Sequence, residues 1–298
     1  MNSSPLLTDL IFTANTAGNH GGGLHAESSN AVVRDCVFSG NDAGSGAGAW
    51  VEGPGRPRFV RCVFEGNTAG GMGGAVATDL EADLVLTGCD FLGNTGASGG
   101  AVCVTIGTAT IEDCTIDGNT AEFGGGICLQ SSAGVTVRGT SVDSNEASYQ
   151  GGGIYTSDSV IDVVDCTVTD NVATLQGGAV WMLLSSGTFT RTAVTGNRSG
   201  GFGDGFFLDS SGLVMNAGEF ASNGVAIHVQ PGSRAPVDAR WNWWGDPSGP
   251  YHASLNPAGL GDEVTDGVNF TPWNVTSSAG ELPEAVLRSW SAIKSSYR

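Results

Sequence analysis

Asparagine recurs along this 298-residue chain at an almost constant interval. The series consists of Asn15, Asn41, Asn67, Asn94, Asn119, Asn145, Asn171, Asn197 and Asn223. Its spacing of about 26 residues lies within the range of known solenoid repeats. A unit of this length cannot bury an apolar face by itself, so consecutive units must stack on one another. The repeat therefore predicts a solenoid in which equivalent residues of successive coils lie in line.

Each asparagine follows a short segment with the periodicity of a β-strand. In one unit, Phe64 lies three residues before Asn67 and Cys62 lies two residues earlier, with Val63 between them. The equivalents of Phe64 are apolar in every unit, whereas the equivalents of Val63 are mixed in polarity. This alternation is typical of a strand with one buried face.

A glycine-rich turn after each of the first eight asparagines leads into a second short strand, such as Gly-Gly-Ala-Val at 73–76, and a third apolar run completes the unit. Successive coils then form parallel strands, and parallel crossovers are overwhelmingly right-handed. The sequence therefore predicts an all-β fold, a right-handed parallel β-helix solenoid of about nine to ten coils. We expect residues 1–240 to form this β-helix, 241–274 a C-terminal capping segment, and 275–298 a linker and short terminal helix.

The two ends of the chain suggest further expectations. The first ten residues lack the basic start and apolar core of a signal peptide, so we expect an N-terminal cap and an export signal to be missing. At the other end, Pro283 precedes Val286, Trp290 and Ile293 at helical spacing. This helix would either dock on the acidic solenoid or serve as a sorting or anchoring tail.

Composition limits the classes of partner. The chain has 48 glycines, but 40% of its residues are hydrophobic, which favours a packed core over disorder. A formal net charge of −18 disfavours nucleic acid and anionic membranes as partners. There is no uninterrupted apolar window of about 18 residues, so we expect no membrane-spanning segment. Cationic partners, metal ions and neutral ligands remain.

Two groups can be distinguished among the seven cysteines. Cys36, Cys62, Cys89 and Cys114 share one inward position, where cysteine packs as a small hydrophobic residue. Cys103 and Cys128 occupy neighbouring coils and are expected to face outward. Adjacent coils bring Cα atoms within disulfide range, so this second pair is the favoured bridge, although its redox state stays open.

The repeated Phe-x-x-Asn followed by Gly-Gly-Ala-Val or Gly-Gly-Gly-Ile resembles the repeats of polymorphic outer membrane proteins. It also resembles surface adhesins and autotransporter passengers of the pectin-lyase-like β-helix superfamily, over about residues 10–230. The segment 241–250 is similar to the ending of many secreted bacterial β-helix proteins. The resemblance implies a bacterial protein exported to the outer membrane surface or the extracellular space, and it is weak evidence for any activity.

The second strand of each unit supplies the first candidate site. If its apolar residues point inward, the following residues point outward. The resulting series is His25, Val51, Ala77, Cys103, Cys128, Tyr155, Trp181, Phe207 and His228. Its last four members predict a ligand-binding aromatic stripe for an extracellular glycan or a host or cell-surface protein. Alternatively, the tryptophans of the capping segment fold back over these rings.

A second candidate is acidic. Asp117 and Asp143 occupy equivalent positions in adjacent coils, and Asp170 lies one residue away from that position in the next coil. Three neighbouring carboxylates would repel one another unless a cation lay between them, and oxygen ligands suit calcium. Calcium is therefore the cofactor we consider; the alternative is dispersed surface charge.

The superfamily resemblance implies an enzymatic alternative, because related β-helices include pectate lyases and polygalacturonases. The Asn-Thr-Asp, Asp-Asp and Gly-His-Gly hydrolase motifs of that group are not present in this sequence. Three arginines lie one coil from acidic residues, in the pairs Asp35 with Arg61, Glu112 with Arg138 and Asp165 with Arg191. We therefore expect a monomeric, adhesive binding scaffold without catalytic residues. The alternatives are a polysaccharide lyase or glycoside hydrolase, and a structural spacer.

Overall fold

The computed structural model describes residues 4–132 and 134–277 of the chain. It is an all-β parallel solenoid of about nine turns, and the described residues contain no helix. The fold class predicted from the repeat is therefore confirmed. The predicted terminal helix lies outside the described residues.

Three long parallel sheets form the walls of the solenoid, and each regular coil contributes one strand to each sheet in a fixed order. The first sheet has 11 strands: Leu6–Thr8, Val32–Arg34, Arg58–Val60, Asp83–Thr87, Thr108–Glu112, Gly134–Arg138, Val160–Val164, Ser186–Thr190, Gly212–Asn216, Val237–Asp238 and Val268–Asn269. The second sheet has nine: Ile11–Thr13, Val37–Ser39, Val63–Glu65, Asp90–Leu92, Thr115–Asp117, Ser141–Asp143, Thr167–Thr169, Ala193–Thr195 and Glu219–Ala221.

The third sheet is reached through the glycine-rich turn. Its 11 strands are Leu24–Glu27, Ala49–Glu52, Val76–Asp79, Val102–Thr105, Ile127–Gln130, Ile154–Ser157, Val180–Leu183, Phe206–Asp209, Val225–Val229, Gly261–Val264 and Pro250–Tyr251. The glycine-rich turns also pair with one another and form two short sheets, which together we call the turn ribbon. Its strands are Thr16–His20, Asp42–Ser45 and Thr68–Ala69, and then Thr120–Phe123, Glu146–Gln150, Val172–Ala173 and Arg198–Ser199.

The asparagine series forms a continuous buried ladder. The Nδ2 group of Asn67 donates to Oδ1 of Asn94 at 2.9 Å and to the carbonyl oxygen of Phe38 at 2.9 Å. The backbone N–H of Asn67 donates to the same Oδ1 atom at 3.0 Å. The pattern repeats from Asn15 to Asn223, so the side-chain amides satisfy the polar groups of a corner from which water is excluded.

The interior columns follow from the same register. Phe64 is parallel to and stacked between Phe38 and Phe91, at ring-centroid distances of 4.6 and 5.0 Å. The inward cysteines are fully buried, and all seven cysteines of the chain are free thiols. Burial raises the pKa of Cys166 to about 12, so this thiol stays protonated and packs as a hydrophobic group.

A corner with left-handed backbone geometry joins the first sheet to the second. Asp35, Arg61, Asp165 and Arg191 occupy it with φ between 47° and 56°. Arg61 donates to both carboxylate oxygens of Asp35 at 2.8 and 2.7 Å, and Arg191 does the same to Asp165 at 2.6 and 2.9 Å. Two of the three predicted ion pairs are thus confirmed.

The third predicted ion pair is corrected by the structure. Glu112 and Arg138 are neighbours in register, but the ion pair of Arg138 is formed with Asp165, at 3.9 Å between Nη1 and Oδ2. The corner position of Asp165 places its carboxylate within reach of arginines from the preceding and the following coil.

Residues 241–274 continue the stack irregularly at its C-terminal end. Trp244 is buried and stacks on Phe220 with a ring-centroid distance of 4.6 Å, and Trp243 bridges to Glu219 at the end of the second sheet. Asp262 takes the place of the next ladder asparagine, because its Oδ2 atom accepts from N and Nδ2 of Asn223 at 3.0 and 2.8 Å.

We predict that Asp262→Asn removes a pH-dependent loss of stability. Burial is the largest influence on Asp262 and raises its pKa above the ordinary value of 3.8, despite the hydrogen bonds from Asn223. The folded state therefore binds this proton more tightly than the unfolded state, and stability falls as pH rises from 3.8 through the raised pKa. The asparagine keeps the acceptor oxygen without carrying a charge.

The measurement is urea unfolding of both proteins between about pH 3 and pH 7. The free energy of unfolding of Asp262→Asn, relative to that of the parent protein, should increase as pH rises. Asp42→Asn removes an exposed carboxylate and controls for the lower net charge. A stability difference that is independent of pH would contradict the prediction.

Candidate functional site

The predicted outward series is a single column on the outer side of the third sheet, with one correction. His25 pairs in register with Trp50, and Trp50 pairs with Ala77, so Trp50 occupies the position assigned to Val51. Val51 is buried in the main core with 2% exposure. The step from His25 to Trp50 is shorter than the repeat and the step from Trp50 to Ala77 is longer, so regular counting misplaces this coil.

The turn ribbon folds back over this column and buries much of it. Trp50, Ala77, Cys103 and Cys128 form a separate hydrophobic cluster, against which Met72 of the turn packs. Cys103 and Cys128 are register neighbours, as predicted, but both are buried free thiols. The neighbouring Cys103 thiol and burial raise the pKa of Cys128 well above its ordinary value.

The aromatic stripe is therefore not an open row of four rings. Tyr155, Trp181, Phe207 and His228 are consecutive in register, as predicted. Trp181 is only 6% exposed and Phe207 only 3%, whereas Tyr155 and His228 are partly exposed. The alternative, in which tryptophans of the capping segment cover these rings, is also wrong. Trp244 packs inside the end of the solenoid, and the glycine-rich turn covers the rings.

The accessible part of this aromatic system is the outer edge of the turn ribbon. Tyr149, Leu175 and Phe202 are 48%, 45% and 57% exposed in three consecutive coils, and we call these three residues the turn-edge patch. The backbone N–H of Leu175 donates to the carbonyl oxygen of Tyr149 at 2.9 Å, which fixes these two coils relative to each other.

The turn-edge patch is connected to the buried column by ring contacts. Phe123 lies 5.5 Å from Tyr149 and 5.3 Å from Tyr155, and Phe202 stacks on His228 at 4.9 Å between ring centroids. Burial lowers the pKa of His228, which favours the uncharged imidazole in this aromatic setting. The patch therefore rests on a packed base. The sequence analysis did not predict the turn-edge patch. The separation of Tyr149 and Leu175 by one repeat length could have indicated that these two side chains lie in adjacent coils.

The acidic candidate is only partly assembled. Asp117 and Asp143 are register neighbours in the second sheet, and Thr169 takes the third position and donates to Asp143 at 2.7 Å. Asp170 lies beyond it, exposed, in a left-handed turn with φ of 50°. Burial, followed by the charge of Asp143, raises the pKa of Asp117.

These residues do not fit a calcium ion well. Two adjacent carboxylates and a hydroxyl fall short of the six to eight oxygen ligands that calcium prefers. Among residues 4–132 and 134–277, no group of three histidine, cysteine or acidic side chains is placed to hold a metal ion. In the same part of the chain, no helix has the length and apolarity needed to cross a membrane.

Comparison with known proteins gives one result that bears on this geometry. A family model described as the right handed beta helix region matches residues 7–160 and 100–240. No curated protein matches the chain. The match spans the coils that carry the asparagine ladder and the turn-edge patch.

Proposed function

This chain belongs to the right-handed β-helix family, and on that premise we propose that it is an adhesive binding scaffold without catalytic activity. Its ligand is an extracellular glycan or a cell-surface protein. In this proposal the protein is a monomer, exported by a bacterium to its outer membrane surface or to the extracellular space. The resemblance of the repeats to surface adhesins and polymorphic outer membrane proteins supports export.

The observation that carries the proposal is the turn-edge patch. Soluble proteins rarely expose contiguous large apolar side chains unless these residues make an interaction. Tyr149 and Leu175 come from adjacent coils, which lie about 4.8 Å apart in a parallel stack, and Phe202 lies in the next coil, in register with Gln176 beside Leu175. A rigid solenoid holds these side chains at fixed separations, so little conformational entropy is lost when a ligand binds them.

Two arginines at the corner between the first and second sheets are held in ion pairs. A β-helix lyase would need an arginine free to take a proton from the sugar. Arg61 and Arg191 instead donate to both oxygens of an aspartate in the neighbouring coil. Bidentate pairs of this kind hold the guanidinium in place and occupy two of its five donors.

We predict that Tyr149→Ser and Phe202→Ser each weaken ligand binding at least about tenfold, because aromatic anchors carry most of the affinity in such contacts. Both side chains are about half exposed and each stacks on one ring, so the free energy of unfolding should fall by about 1 kcal/mol, which leaves the protein folded. Leu255→Ser, at a site that is 70% exposed and outside the patch, is the matched control.

The experiment combines a glycan array and binding to intact cells with an assay for unsaturated uronides and new reducing ends. Binding by the parent protein and the Leu255→Ser control, lost in both patch variants and without product release, supports the proposal. Product release would identify a polysaccharide lyase or glycoside hydrolase instead. If neither binding nor release occurs, the spacer alternative is favoured.

A further inference from the structure

A second surface feature lies at the C-terminal end of the solenoid, away from the turn ribbon. It is a depression of about 250 Å³ at the corner between the first and second sheets. Its lining consists of Met215, Asn216, Ala217, Asp238, Arg240 and Trp241. These residues come from two consecutive coils, which are joined by pairing of Val214 with Asp238.

Trp241 forms the flat wall of this depression. Its φ angle is 62°, a conformation that is costly for a bulky side chain, and its side chain is 55% exposed. Three hydrogen bonds hold the backbone in this geometry. Its N–H donates to the carbonyl of Pro272 at 2.7 Å, and its carbonyl accepts from Asn274 Nδ2 at 2.6 Å and from the N–H of Ala217 at 3.2 Å.

The space beside the indole exists because the preceding coil has a small residue at the same corner. The same corner holds Arg61, Asp165 and Arg191 in some earlier coils and Gly88 and Gly139 in others, and the corner residue next to Trp241 is Ala217. A long side chain at Ala217 would cover the ring. The combination of a small corner residue and an exposed tryptophan occurs where the regular coils end.

Polar residues share this lining with the indole, and two of them, Asp238 and Arg240, precede Trp241 in the same coil. Arg240 donates from Nε and Nη2 to the two oxygens of Asp238 at 2.8 and 2.7 Å. A guanidinium has five N–H donors, so three remain for a ligand, and the carboxylate retains lone pairs that can accept. Asn216 belongs to the same lining. The ion pair keeps the donors and acceptors in fixed positions.

We propose that this depression binds one pyranose ring of a neutral saccharide. The C–H face of the sugar packs on the Trp241 indole, and adjacent hydroxyl groups bond to Asp238, Arg240 and Asn216. An anionic sugar is disfavoured by Asp238 and by the formal net charge of −18. A wholly apolar ligand is disfavoured because it would leave the remaining donors of Arg240 without partners.

This inference goes beyond the proposed function and does not depend on it, because none of the residues that carry it belongs to the turn-edge patch. The test is calorimetric titration and ligand-observed NMR of the intact chain. The probes are methyl glycosides and short oligosaccharides of neutral hexoses, with a uronic acid disaccharide as the charged comparison. We expect the parent protein to bind at least one neutral probe and to bind the charged comparison at least tenfold more weakly.

Two variants and one control locate the binding. Trp241→Ala removes the platform, and Ala217→Leu fills the depression while leaving Trp241 in place; each should weaken binding at least tenfold. The corner accepts larger residues, since Arg191 has φ of 47° one coil earlier. Leu255→Ser, outside both surfaces, should bind the same probe with unchanged affinity.

Three results would overturn the proposal: no binding of any neutral probe by the parent protein, preference for the charged probe, or unchanged affinity in the Ala217→Leu variant. If Trp241→Ala does not fold, the affinity of Ala217→Leu for the neutral probe is the test of the proposal. Loss of cell binding in Phe202→Ser with saccharide binding intact would show that the two surfaces act separately. Failure of one proposal is therefore distinguishable from failure of the other.

Discussion

Asn119→Ala is expected to lower the free energy of unfolding by about 4 kcal/mol or more, because several buried polar groups lose their partners at once. The Nδ2 group of Asn119 donates to Asn145 Oδ1 at 2.9 Å and to the carbonyl oxygen of Phe91 at 3.0 Å. Its Oδ1 atom accepts from the N–H of Asn94 at 2.9 Å and from Asn94 Nδ2 at 3.0 Å. Alanine can make none of these bonds.

Asn15→Ala is the matched control within the same ladder. Asn15 is exposed at the N-terminal end, and its two hydrogen bonds both go to Asn41 Oδ1. Water can replace the lost partner there, so the expected loss is about 1 kcal/mol or less. Denaturant unfolding followed by circular dichroism measures both variants. Equal losses at the two positions would show that the buried ladder is not a main source of stability.

Gly125→Ala is expected to destabilise the protein by about 3 kcal/mol or more, because of a clash with fixed backbone. A Cβ atom at this position would overlap the carbonyl oxygen of Gly152 and approach that of Glu146 to 2.6 Å. Gly74, Gly100 and Gly152 meet the carbonyl of the next coil in the same way. The glycine is therefore required by the close approach of two coils.

Gly134→Ala is the comparison that separates a steric effect from general loss of glycine. Nothing lies within 4 Å of a Cβ atom there, and the backbone does not have a positive φ. Alanine at such a site reduces the entropy of the unfolded chain, so the free energy of unfolding should stay unchanged or rise by about 0.5 kcal/mol. A thermal or urea midpoint for Gly125→Ala equal to that of Gly134→Ala would contradict the steric argument.

The fold could be predicted because one short-range pattern specifies every coil. The asparagine interval, together with the alternation around Phe64, determines which residues share an interior column, and the pairing of Phe38, Phe64 and Phe91 follows directly. The error at Val51 arose where the chain between two columns changes length, with a short step before Trp50 and a long step after it. Periodicity cannot locate an insertion between two columns.

The candidate sites could be predicted only in part, because they depend on contacts that the repeat does not encode. The outward position of Trp181 was correct, but its burial depends on how the turn ribbon packs back on the third sheet. Asp262 acts as a ladder member although it lies well beyond one repeat length from Asn223. Trp241 was assigned to the capping segment, and its exposure follows from the small Ala217 beside it.

The direction of the asparagine ladder gives the solenoid a polarity beyond that of its strands. Every side-chain amide from Asn41 to Asn197 directs one N–H group toward the following coil and its Oδ1 atom toward the preceding one, so the amide dipoles add along the axis. The positive end of this row meets the carboxyl group of Asp262, and the negative end is the exposed side chain of Asn15. The row thus resembles a helix macrodipole assembled from side chains, with an acidic group at its positive pole.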